Sequence, residues 1–120
     1  MSYNHYENKT FTYSIRDNDK QYGVLKFSFC DNEYPLFKLS KDELKAFVNF
    51  AKKFESLSWQ DIKKYVGFKF ENISNIKNRV RIENSYMFNS LRVSQKFRLI
   101  GFRKENAFNI IWFDKNHEVY

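Results

Sequence analysis

Hydrophobic and polar residues alternate in two stretches near the start of the chain. Phe11, Tyr13 and Ile15 alternate with Thr12, Ser14 and Arg16; Leu25, Phe27 and Phe29 alternate with Val24, Lys26 and Ser28. Period-two alternation predicts strands with one wet face, and Asp17-Asn18-Asp19-Lys20 between them predicts the turn of a hairpin. A second turn, Asp31 to Pro35, leads into a short extended piece, Leu36 to Leu39. The period then changes. Ser40-Lys41-Asp42-Glu43 reads as a capping box, and Leu44, Phe47, Val48, Ala51 and Phe54 follow at helical spacing, with Lys45, Asn49, Lys52 and Lys53 opposite. Ser58-Trp59-Gln60-Asp61 opens a shorter helix through Tyr65, buried by Trp59, Ile62 and Val66 and ended by Gly67.

Asn and Ser crowd residues 68–90, so long loops are expected there, with short strands at Phe68 to Phe70 and Val80 to Ile82. Beyond them, two apolar runs, Phe97 to Arg103 and Ala107 to Phe113, flank Lys104-Glu105-Asn106. This pattern predicts a β-hairpin, with Asn106 suited to a left-handed turn conformation. The runs are too apolar for a hairpin wet on one face, so it belongs in the middle of a sheet. Phe108, Ile110 and Trp112 are expected to bury together with Phe47, Val48 and Phe54. The fold class is therefore α+β: one domain over 1–120, an antiparallel sheet of four to six strands with two helices packed on one face.

Composition supports a single packed core: 120 residues, 42% hydrophobic, with fourteen Phe and eight Tyr against three Gly and one Pro. No apolar run is long enough to span a membrane, and the first residues lack a signal peptide's apolar segment. Cys30 is the only cysteine, so an internal disulfide is excluded. These features point to a cytoplasmic protein without a membrane partner. No cofactor or metal is expected. The sequence holds no phosphate-binding glycine loop, no Gly-x-Ser-x-Gly and no cluster at metal-ligand spacing.

Charge adds the functional direction. The formal net charge is +7, and five of the six arginines (Arg79, Arg81, Arg92, Arg98 and Arg103) fall within 25 residues. Between Lys77 and Lys104 Glu83 is the only acidic residue. Arginine presents a planar fork that matches phosphate and carboxylate, so nucleic acid is the first partner to consider and an acidic protein the second. Arg79, Arg81, Lys96 and Arg103 are the candidate nucleic-acid contacts.

Leu91-Arg92-Val93-Ser94-Gln95-Lys96-Phe97-Arg98-Leu99-Ile100 resembles a signature of the RelE/YoeB superfamily of bacterial ribonuclease toxins. In those proteins an Arg-Val/Ile strand precedes an Arg-Leu-Val-Tyr strand, a hairpin, and a tail carrying His or Tyr. The order of Arg92, Arg98, the hairpin, His117 and Tyr120 matches, with Gly101 where the family often has the tyrosine. The resemblance implies metal-independent cleavage of mRNA by the 2′-hydroxyl, on or off the ribosome, and an acidic antitoxin partner. It further implies roles: Arg98 for phosphorane charge, Arg92 or Arg81 for phosphate positioning, His117 as acid or base, Tyr120 as donor or stacking platform. The alternative is a non-enzymatic phage or mobile-element accessory protein that holds nucleic acid or an acidic partner. In a third reading the arginines are only structural.

Overall fold

Both helices begin where their serines predict. The Ser40 hydroxyl accepts from the Glu43 N–H at 3.1 Å while the Glu43 carboxylate accepts from the Ser40 N–H at 2.7 Å, closing a capping box on α1 (Lys41–Glu55). Ser58 caps α2 (Trp59–Lys64) by accepting from the Asp61 N–H. The computed structural model describes residues 15–73 and 87–119. Among these, β1 (Val24–Lys26), β2 (Glu71–Ile73), β3 (Phe88–Arg92), β4 (Arg98–Lys104) and β5 (Ala107–Asp114) form one sheet in the order β1-β5-β4-β3-β2. The helices lie on one side of it, giving the expected α+β fold with the β4–β5 hairpin in the middle.

One strand runs against expectation. β1 pairs in parallel with β5, Leu25 opposite Phe108, so the sheet is mixed. Of the supposed hairpin partner, residues 11–14 lie outside the described residues, and Ile15–Lys20 is a 3-10 helix. Asp19 in that turn is bonded to Lys63 of α2 and Arg103 of β4, contacts across the chain that local alternation cannot encode. Extended pairing also stops early. Phe27 stacks on Phe113 of the helix-side core, whereas Phe29 meets Phe102 edge-on on the other side. Rings two residues apart in a strand share a face, so the chain leaves the strand after Lys26. Leu36–Lys38 is likewise a 3-10 turn rather than an extended piece.

The core has two compartments. On the helix side Phe47, Phe50 and Phe54 of α1 join Trp59, Ile62, Phe68, Leu91, Leu99, Phe108, Ile110 and Phe113. On the other side Ile100, Phe102, Ile111 and Trp112 pack with Ile73 and Val119. The expected face of α1 is thus rotated: Phe50 is buried, while Val48 is 48% exposed. Three phenylalanines at 47, 50 and 54 bury more apolar area than Leu44 and Val48 can, and they set the helix's roll. Trp112 leaves the predicted group for a related reason. The β4–β5 register slips at Ile100/Gly101, so Ile111 is an inserted residue, and Ile111 and Trp112 both turn to the far side. Gly101 permits this approach, since a Cβ there would collide with the Asn109 carbonyl.

Smaller boundaries shift as well. α2 ends at Lys64, and Gly67 sits inside a following 3-10 turn, Val66–Phe68. Val66 is exposed, and the strand placed at Phe68 to Phe70 begins at Glu71. Val80 to Ile82 lies outside the described residues. At the hairpin turn Glu105 takes the left-handed conformation, φ 57°, in place of Asn106. The Asn106 carbonyl instead accepts from the Trp59 indole at 2.7 Å and from the Val24 N–H at 3.0 Å.

Candidate nucleic-acid interface

Strand register decides which predicted residues can act together. Arg92 ends β3 opposite Arg98, and Arg98 starts β4 opposite Asp114 near the end of β5. The turn carrying Lys96 and the turn carrying His117 therefore leave the same end of the sheet. Arg103 lies five residues farther along β4, roughly 17 Å away along the strand.

Arg98 faces inward. It is 5% exposed, and its Nη1 donates to the carbonyls of Ser94 at 2.9 Å, Gln95 at 3.0 Å and Phe97 at 3.4 Å. Such bonds satisfy a buried cation and fasten the 93–97 turn. Two like charges opposite each other on adjacent strands repel, and the carbonyls offset that cost for the Arg92–Arg98 pair. Arg98 thus acts on the turn, holding the segment that displays exposed Lys96 and half-buried Arg92.

Arg103 is also engaged. Its Nε donates to the Glu105 carbonyl at 2.7 Å, its Nη2 meets Asp19 at 2.7 Å, and its guanidinium lies 4.3 Å from the Trp59 ring centre. Those contacts tie the hairpin turn to α2 and the 15–20 turn. The hydrogen bond from Lys63, the hydrogen bond and charge of Arg103 and the charge of Lys63 hold the Asp19 carboxyl below its ordinary value, against the opposing effect of partial burial. Half-buried His117 stands in a left-handed turn, φ 59°. Behind it the buried Asp114 carboxylate accepts from the N–H groups of Glu118 and Val119, both at 2.8 Å, folding the tail back. Arg79, Arg81 and Tyr120 lie outside the described residues.

A cleft of about 350 Å³ opens beside Arg92. Arg92 at the end of β3 and Val93 just after it line the cleft, with Asn49 and Lys53 from α1 and Tyr65 and Phe68 from the segment after α2. The Lys53 ammonium sits 5.1 Å from the Tyr65 ring centre. No acidic residue lines the cleft among the described residues, and the Arg92 side chain has no hydrogen bond or ion pair with any of them. Two cations beside the exposed Tyr65 ring can hold a phosphate and stack a base. Lys53 and Asn49 escape sequence reasoning because a lysine opposite a helix's apolar face reads as solvated; only the packing of α1 beside β3 gives it a partner. Partial burial pushes the Cys30 thiol above its ordinary value, which disfavours a thiolate nucleophile. Among the described residues no group of His, Cys, Asp and Glu is placed to hold a metal ion, and no helix is long and apolar enough to cross a membrane. Comparison with family models, with curated proteins and with solved structures found no match.

Proposed function

We propose that this chain is a nucleic-acid-binding protein, with RNA as its partner, that grips the phosphodiester backbone in the Arg92–Lys53 cleft. The observation that carries the reading is the cleft's composition: the Arg92 side chain, with no hydrogen bond or ion pair among the described residues, and Lys53 over the Tyr65 ring, with no acidic residue in the described lining, in a chain of net charge +7. A non-enzymatic module working in the cytoplasm, such as a phage or mobile-element accessory protein, needs nothing more. The test is RNA affinity as a function of salt. Affinity should fall steeply as salt rises, and Arg92→Ala should lower the log–log slope by roughly one unit. Arg103→Ala should leave the slope unchanged. Absence of RNA binding at low salt would shift the proposal to an acidic protein partner.

A metal-independent ribonuclease, the toxin of a toxin–antitoxin pair, is the second reading. It is favoured by the strand register, which sends the turns of Lys96 and His117 from one end of the sheet. In this reading Arg92 supplies charge to the phosphorane, because Arg98 is occupied by the turn, and His117 serves as acid or base. Expression of the chain alone should arrest bacterial growth, and His117→Ala should relieve the arrest in a protein that still folds. Harmless expression of the wild-type chain would leave the binding module.

A further inference from the structure

A second cleft differs from the first in its chemistry. It measures about 330 Å³, within the range of small-molecule sites, and lies between residues 32–39 and the turn after β5. Buried Leu39 and Phe113 of the helix-side core give it an apolar floor, and Tyr34, which packs against the other core compartment, lines its edge. Its walls are built rather than frayed. The Tyr34 carbonyl accepts from the Phe113 N–H at 2.8 Å, and Lys115 Nζ donates to the Lys38 carbonyl at 3.0 Å. Two bulky residues hold left-handed backbone at its edges: Tyr34, φ 51°, and His117, φ 59°, between lining residues Asn116 and Glu118. Such conformations persist where surrounding contacts fix them, and they gather at binding sites.

The polar rim selects the ligand. Lys115 gives one N–H to the Lys38 carbonyl and is drawn toward Glu43 at 3.9 Å, so the Lys38 ammonium and the carboxylates of Glu33 and Glu118 are the charged lining groups without a side-chain bond among the described residues. Two carboxylates repel a phosphate. They suit a flat, neutral group that offers adjacent donors, and one ammonium beside them suits a neighbouring acceptor. Guanine alone among the RNA bases presents that edge: an O6 acceptor followed by the N1–H and N2–H₂ donors. Unpaired bases are held in this way, by a stacking or apolar surface plus hydrogen bonds to their Watson–Crick edge.

We propose that this cleft takes an unpaired guanine, with Glu33 and Glu118 accepting from N1–H and N2–H₂, Lys38 donating to O6, and the apolar floor of Leu39 and Phe113 against the ring. The assignment rests on the nucleic-acid reading above and gives it a base preference. The test uses nucleosides, which carry no phosphate and so bypass the Arg92 cleft. Guanosine titrated into the full ¹⁵N-labelled chain should shift the amides of residues 32–39 and 115–119 and bind at least roughly tenfold tighter than adenosine, cytidine or uridine. Glu118→Gln should weaken guanosine by roughly ten- to hundredfold, as loss of a charged hydrogen-bond acceptor does. Glu33→Gln, on the opposite wall, checks the same point if the tail of the first variant loosens. Arg92→Ala should leave guanosine binding unchanged. Equal binding of all four nucleosides, or no shifts at these amides, would overturn the site while leaving the salt experiment on Arg92 standing. Guanosine binding without RNA binding would support the cleft and defeat the nucleic-acid reading.

Discussion

The two ends of the β4–β5 hairpin contain the same kinds of residue and use them in opposite ways. At the turn end, Arg103 is consumed by the fold: it bonds Asp19 and the Glu105 carbonyl and covers Trp59, whose indole donates to the Asn106 carbonyl. At the open end, Arg98 is consumed too, but in fastening a turn that leaves Arg92 and Lys96 without partners among the described residues. Charge counted along the sequence treats these arginines alike. Partners separate them, because a guanidinium already satisfied by carboxylate or carbonyl gains little from a ligand and would lose its bonds to bind one.

Removing the centre of the turn end tests the first half of this contrast and has the largest expected effect. Trp59 is fully buried, touches Phe54 and Phe70 edge-on, and underlies Arg103. Trp59→Ala should cost about 3–5 kcal/mol in a denaturant titration, from the cavity and the lost indole bond together. It should not alter the salt slope of RNA binding in whatever folded fraction remains. A cost below about 1 kcal/mol would mean that α2 is not docked on the hairpin.

Arg98→Ala probes the other end at a smaller scale. The turn carbonyls of Ser94 and Gln95 would lose a charged donor, so a loss of about 1.5–3 kcal/mol is expected. RNA affinity should fall as well, since the loop presenting Lys96 is released. Arg92→Ala is the control at the same end, with a stability change within about 0.5 kcal/mol. If Arg98→Ala removed RNA binding while leaving stability untouched, Arg98 would be a ligand contact and the contrast between the two ends would fail.

These arginines also mark how far the sequence could be read. Capping serines, helical spacing and the apolar hairpin depend on neighbours within a few residues, and Ser40, Ser58 and the β4–β5 pair stand where the pattern predicts. Elements whose form depends on distant partners were misread. β1 finds β5 across more than eighty residues, and the 15–20 turn is fixed by Lys63 and Arg103. The inserted Ile111 had one local signal, Gly101 within a strand, but a glycine does not say on which partner the extra residue falls. For the candidate site, Arg92 was legible from charge, whereas Lys53, Tyr65 and the rim of Glu33, Lys38 and Glu118 were not. Those residues lie on separate segments, and their convergence is a property of packing.

The finest distinction between the ends is electrostatic and can be measured through pH. Asp19 accepts from Lys63 at 2.8 Å and from Arg103 at 2.7 Å, and its carboxyl is held below the ordinary 3.8. A depressed carboxylate binds its proton less readily in the folded state than in the unfolded one. It therefore adds stability that is complete above about pH 4–5 and disappears as pH falls below the ordinary value toward the folded one. The pair is about one-third exposed at Asp19, so solvent screening keeps the contribution small, about 0–1 kcal/mol. Melting curves of the wild type and Asp19→Asn should differ by a degree or a few near pH 6, roughly the scale of such a change in a domain of this size, and converge as pH falls below the ordinary carboxyl value. A difference that stayed constant with pH would mean that the substitution acts through packing of the turn. The same variant sharpens the functional comparison, because it releases Arg103 from its carboxylate. If the salt slope of RNA binding stays at the wild-type value, a freed arginine at the turn end is still out of reach of the nucleic acid, and the open end alone holds the phosphate.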